Sequence, residues 1–147
     1  MERKPINSSL KFVNYIVNEV QFNYNKNQKD EKNWKLTFNF KNITKINKEK
    51  NRMEISLSTE IFKGIENAPF NMSVEIVGFF ELEGDDDISH YEANAIAIMY
   101  PYLRAIISTY TSSANVMPVI LPAINPAKYD EVLSSYTNEV TFSGCSS

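Results

Sequence analysis

Cysteine is almost absent from this chain. A single Cys145, three residues from the end of a 147-residue sequence, allows no intrachain disulfide and no multi-cysteine metal site, and in its Ser/Gly surroundings it reads as an exposed tail thiol. Histidine is as scarce: His90 stands alone, with no nucleophile elbow and no glycine-rich phosphate loop to accompany it. It reads as a solvated residue near a helix start, and no enzyme activity or cofactor is expected. No apolar run approaches the about eighteen residues that a spanning helix needs, and the segment MERKPINSS lacks the apolar core of a signal peptide. The expectation is a cytoplasmic chain without membrane insertion, in which the sequons at Asn7, Asn42 and Asn71 are chance matches. Basic charge is not in excess. Fifteen Lys and Arg against eighteen Asp and Glu give a net charge of −3, which disfavours nucleic acid or an anionic membrane as the main partner.

What is present suits an ordinary globular domain, with 43% hydrophobic and 22% charged residues. The expected organisation is one domain over residues 1–147, with a core from about 10 to 137 and flexible tails. Leu10 to Asn25 reads as a strand or a bent pair, with Phe12, Ile16, Val20, Phe22 and Tyr24 on one parity and Val13, Tyr15 and Val17 on the other, so that its first half is apolar on both faces. That pattern suits a strand buried at a subunit interface. After a charged loop, Trp34, Leu36, Phe38 and Phe40 alternate with polar residues, and so do Met53, Ile55, Leu57 and Ile61, which makes an antiparallel hairpin. Phe70, Met72, Val74 and Ile76 begin a fourth strand that runs to Gly78, Phe79 and Phe80 and completes a meander.

A long helix follows Asp85, Asp86 and Asp87, which supply caps and negative charge at its positive end. These acids lack the loop spacing and the terminal Glu of a calcium loop, so no metal site is expected. Two apolar stripes run along this helix. One is Ile88, Tyr91, Ala95, Ile98, Tyr102, Ile106 and Tyr110; the other is Ile96, Met99, Leu103 and Ile107. One small sheet cannot cover both, so the second is assigned to contact between chains. Pro101 lies inside and implies a kink. Pro118 and Pro122 then bracket an apolar crossover, and Asn125-Pro126 opens a short helix with Tyr129, Val132, Leu133 and Tyr136 on one side, followed by a frayed end. The fold class is therefore α+β: a four-stranded antiparallel sheet, a long helix, a Pro-rich crossover and a short C-terminal helix. The 12% aromatic content leaves two readings open for Trp34, Leu36, Phe38, Phe40, Tyr129, Leu133 and Tyr136, which either fill the core or line a groove.

The segment MYPYLRAIISTYTSSANVMPVILPAINPAKY resembles the SecB-type protein-export chaperones, through Tyr100, Pro101, Tyr102, Arg104, Pro118, Leu121, Pro122 and Asn125, with VEIVGFFELEG before it similar to that family's Gly-aromatic strand. The resemblance implies a homotetramer, a dimer of dimers, that holds unfolded preproteins without ATP in apolar grooves. It implies client-groove roles for Trp34, Leu36, Phe38, Phe40, Leu121, Tyr129, Leu133 and Tyr136. It places Val13, Tyr15, Val17, Ile96, Met99, Leu103 and Ile107 at oligomer contacts. Glu19 matches one acidic position used to dock the SecA motor, whereas Asn23, Asn71 and Ser73 stand at the others and TFSGCSS replaces an acidic tail. The chain is thus similar to a divergent member, with a solitary chaperone of one partner, such as an antitoxin, as the alternative.

Overall fold

The structure, a computed structural model, describes residues 8–26, 33–123 and 136–143; of 33–35 and 136–143 only the backbone is described. The strands are β1 (Ser9–Tyr24), β2 (Asn33–Asn47), β3 (Arg52–Ile61) and β4 (Phe70–Glu83), followed by a 3-10 turn (Ile88–Tyr91), α1 (Glu92–Ser113) and β5 (Tyr136–Ser143). All pairings are antiparallel in the order β1-β4-β3-β2-β5. Strands β2 to β4 form the expected meander because their alternating apolar residues need one shared covered face. β1 joins the outer side of β4 rather than β2.

Leu36, Phe38 and Phe40 of β2, Met53, Ile55 and Leu57 of β3, and Met72, Val74, Ile76 and Phe80 of β4 are all 3% exposed or less and face α1. The helix lies across β3 and β4. Its start is built in two steps. Asp87 caps the 3-10 turn by accepting from the Ser89 N–H at 2.9 Å. Asn51, in the left-handed region at φ 53°, accepts from the Ile88 N–H and donates to the Asp86 carbonyl, which ties the β2–β3 turn to the helix entry. α1 then runs unbroken through Pro101.

Three expectations are corrected. The two-faced apolar pattern of β1 comes from register, not from two buried faces: shifts between Phe12 and Asn14 and between Val17 and Glu19 each insert one residue. Each bulge flips parity, so Leu10, Phe12, Tyr15, Val20 and Phe22 all pack toward the core. Second, Ile96, Met99, Leu103 and Ile107 are 3% exposed or less within their own chain, so the stripe assigned to oligomer contact is core; Ile98, Tyr102 and Tyr110 of the other stripe are exposed. Third, Tyr136 lies in a fifth strand, where a helix and then a frayed end were expected, because its segment finds the unpaired side of β2. The remainder of the expected final helix, with Tyr129 and Leu133, lies outside the described residues, as does Cys145.

Candidate functional site

Of the expected groove residues, Leu36, Phe38, Phe40 and Leu121 share one core rather than lining an open groove. Leu36, Phe38 and Phe40 are 0–1% exposed, and Leu121 of the crossover is fully buried beside them in the same core. Phe40 meets Tyr100 edge-on at 5.3 Å, and the Tyr100 hydroxyl donates to the Pro122 carbonyl. Thr111 makes the second tie to the crossover: it is buried, its hydroxyl donates to the Ile107 carbonyl at 2.8 Å and accepts from the Val119 N–H at 2.9 Å. The helix-to-crossover motif read in the sequence is therefore a structural latch that seals one side of the core. The apolar-alternation reading of β2 found these residues. Thr111 gave no signal, because a threonine on a helix is ordinary until a chain crosses it.

The edge of β2 is what remains accessible on this side. β5 pairs along Asn33–Phe40, setting Phe142 opposite Trp34, Val140 opposite Leu36, Asn138 opposite Phe38 and Tyr136 opposite Phe40. At the other edge, no strand among the described residues pairs with the outer side of β1, which is 16 residues long. Val13 and Val17 there are nearly half exposed, whereas Tyr15 packs against α1, its ring 4.7 Å from that of Tyr102 and tilted to it. The exposed apolar side chains next to it are Ile16, Ile98, Tyr102 and Tyr110.

The sheet face away from α1 is polar. Glu19 sits opposite Glu75, and two like charges at directly opposed positions oppose pairing, so their neighbours hold them: Gln21 donates to Glu19, and the bulged Asn18 donates to Glu75 at 2.8 Å. Asn23 and Asn71 are likewise opposed and bonded at 3.1 Å. Of the two acids only Glu19 was singled out by sequence; Glu75 became its partner through the β1–β4 register. Toward the β2–β3 turn the same face holds an open depression of about 500 Å³, lined by Val13, Phe79, Lys45, Glu54, Arg52 and Glu81 among others. Its charges are already paired, Arg52 with Glu81 at 3.3 Å and Lys45 with Glu54 at 3.9 Å.

His90 is exposed and its Nδ1 lies 3.0 Å from Asp86 Oδ1. The Asp87 N–H, and then His90, hold the Asp86 carboxyl below its usual range; Asp87 is lowered chiefly by the Ser89 N–H. Partial burial, and then the Asp86 carboxylate, push the Tyr91 phenol up. This is a helix-entry network rather than an acid–base site in a cleft. Among the described residues no group of three acidic, histidine or cysteine side chains is placed to hold a metal ion, and no helix is long and apolar enough to cross a membrane.

Against solved structures, the chain superposes on the Mycobacterium tuberculosis Rv1957 SecB-like chaperone, determined in complex with a ChAD peptide from the Rv1956 HigA1 antitoxin. The TM-score is 0.63 over 78% of this chain and 90% of that one, at 14% identity. In sequence it is 29% identical over 89 residues to the protein-export protein SecB of Anaplasma phagocytophilum, covering 55% of this chain and 56% of that one. The chain has the fold of that SecB-like chaperone. It is also 40% identical over 131 residues to the uncharacterized protein MJ0357 of Methanocaldococcus jannaschii, 84% of one and 83% of the other, and the two belong to one family. No family model matches it.

Proposed function

We propose that this SecB-like protein is an ATP-independent holdase of the cytoplasm that captures non-native polypeptides, unfolded preproteins among them, without chemistry of its own. The observation that carries the reading is the fold, shared with a chaperone whose solved form holds a peptide. The surface agrees with it, because capture of exposed apolar segments needs apolar area and little sequence preference. The proposed assembly is a homotetramer, a dimer of dimers. It is supported by the 16-residue outer edge of β1, which no strand among the described residues covers, and by exposed Val13, Val17, Ile98, Tyr102 and Tyr110, surface that an isolated chain gains by covering. Contact with the SecA motor would rest on the Glu19–Glu75 pair, next to which Asn23 and Asn71 are neutral.

The test is aggregation of a reduced, unfolded client with and without near-stoichiometric tetramer and no nucleotide. Suppression is expected, and its absence overturns the reading. A second reading, a dedicated chaperone of one partner such as an antitoxin, is favoured by the origin of the peptide held by the structural relative. Competition by generic unfolded polypeptide separates the two, since a dedicated chaperone would keep its partner.

A further inference from the structure

One row across the otherwise polar sheet face away from α1 is apolar. The registers set Ile16 of β1 opposite Val77 of β4, Val77 opposite Ser56 of β3, and Ser56 opposite Ile43 of β2. Ile16 is 46% and Ile43 53% exposed, while Val77, at 8%, stands apart from the core cluster under α1. Two branched aliphatic side chains thus face water at the two ends of one row.

The next row is charged, and its ends differ in sign. Glu19 stands opposite Glu75, Glu75 opposite Ser58, and Ser58 opposite Lys41. The row is therefore acidic on β1 and β4 and basic on β2. Gln21 and Asn18 donate to the two carboxylates without neutralising them. Lys41 is exposed and makes no ion pair among the described residues. A third row follows, Gln21, Ser73, Glu60 and Asn39. On the other side of the apolar row Lys45 already pairs with Glu54 at 3.9 Å beside the open depression, which bounds the patch.

These three rows fit their own copy. A two-fold axis lying between two such faces and running along the strands reverses every row, and isologous contact requires each row to match its own reverse. Reversed, the apolar row brings Ile16 to Ile43 twice and Val77 to Ser56 twice. The charged row brings Lys41 to Glu19 twice, which gives the crowded acids the opposite charge that one chain does not place beside them. The third row brings Asn39 to Gln21 and Glu60 to Ser73, each a donor with an acceptor. No like charges meet in any of the three. Aligned sheets pack face to face in this manner, about 10 Å apart.

We propose that this face is a contact between two copies of the chain, with Lys41–Glu19 ion pairs flanking the Ile16–Val77–Ile43 row. Four strands about 4.8 Å apart and three rows about 6.8 Å apart give about 400 Å² per copy, half of the about 800 Å² that a partner buries in a standard interface, so the contact is weak and concentration-dependent. It uses the face of β1 and not its edge, so it adds to any assembly made through that edge and does not depend on the chaperone reading. Motor docking at Glu19 and this contact exclude each other.

The test is sedimentation equilibrium of the full chain from about 1 μM to about 1 mM, over which the wild-type mass is expected to double from its low-concentration value. Lys41→Glu and Glu19→Lys should each keep the low-concentration mass and weaken the doubling at least about tenfold, because each sets like charges together twice. An equimolar mixture of the two variants should double at a concentration within about threefold of wild type, since every such contact then joins opposite charges. That rescue also shows both variants to be folded. A wild type that keeps its low-concentration mass up to about 1 mM overturns the proposal, whether or not it binds the motor protein. So does a doubling that the two variants leave unchanged, or a mixture that associates no better than either variant alone, since Lys41 and Glu19 then do not meet.

Discussion

Met99 lies directly over Gly78. A Cβ built on Gly78 would stand 2.6 Å from the Met99 sulfur, closer than packed atoms approach, so the helix reaches β4 only because that strand has no side chain there. Gly78→Ala is expected to cost about 1–3 kcal/mol of stability by overpacking. Met99→Ala alone should cost about 2–5 kcal/mol by leaving a cavity. The double variant should lose less than the sum, since the added methyl fills part of that cavity; denaturant midpoints of all four proteins check it.

Thr111→Val removes the hydroxyl that receives the Val119 N–H while keeping the side chain's shape. A buried donor without a partner is expected to cost about 1–3 kcal/mol, and amide exchange should become faster at Val119 before the rest of the core opens. Unchanged exchange there would count against the latch between α1 and the crossover.

Tyr102→Glu places a charge on the exposed helix stripe, where the ring packs at a tilt against those of Phe12 and Tyr15. Under the tetramer reading, light scattering should show a mass of dimer or monomer for this variant and of tetramer for wild type at micromolar concentration. A wild-type mass equal to one chain would refute the assembly.

The helix entry sets an acid limit. The Asp86 and Asp87 carboxyls are both held below the ordinary value of 3.8, so on acidification the unfolded chain takes up their protons first. Their contribution is complete above the unfolded pKa and is lost as pH falls through the lower folded values. Asp87→Asn keeps an N-cap oxygen but cannot titrate, so its melting temperature should fall less steeply than that of wild type below about pH 4.

His90→Ala should leave aggregation suppression unchanged. The side chain is exposed, and its one ion-pair partner, Asp86, retains the Asp87 N–H and the Tyr91 hydroxyl, the latter at 3.1 Å. Loss of activity in this variant would reopen a chemical role for the imidazole.

Strands β2, β3 and β4 were legible because each covers one face and exposes the other, which writes a period of two into the residues. The span of the helix was legible for the same kind of reason, as were the Asp87 cap and the β2 residues that bear on the site. Three features were not. A bulge has no residue signature of its own, so Val13 looked like a member of a doubly apolar strand until the β4 register showed it, like Asn18, to be an insertion. Two apolar stripes on one helix carry the same spacing, and only docking on β3 and β4 chose Ile96, Met99, Leu103 and Ile107 for the core. β5 has a faint alternation in Tyr136, Val140 and Phe142, but a strand of eight residues exists only where another strand's edge is open to it.

The sequence alone determined the first four strands and the long helix, that the helix carries more apolar surface than one sheet covers, and the likeness to the SecB-type chaperones. Those properties are local or additive along the chain: periodicity, capping chemistry, the count of apolar side chains. The tertiary structure decided which apolar stripe is buried and which is offered outward, and that Glu19 meets Glu75. It also decided that the edge of β2 is half covered by the chain's own last strand. Such choices depend on residues far apart in sequence meeting in one register, and no pattern within a single segment records that meeting.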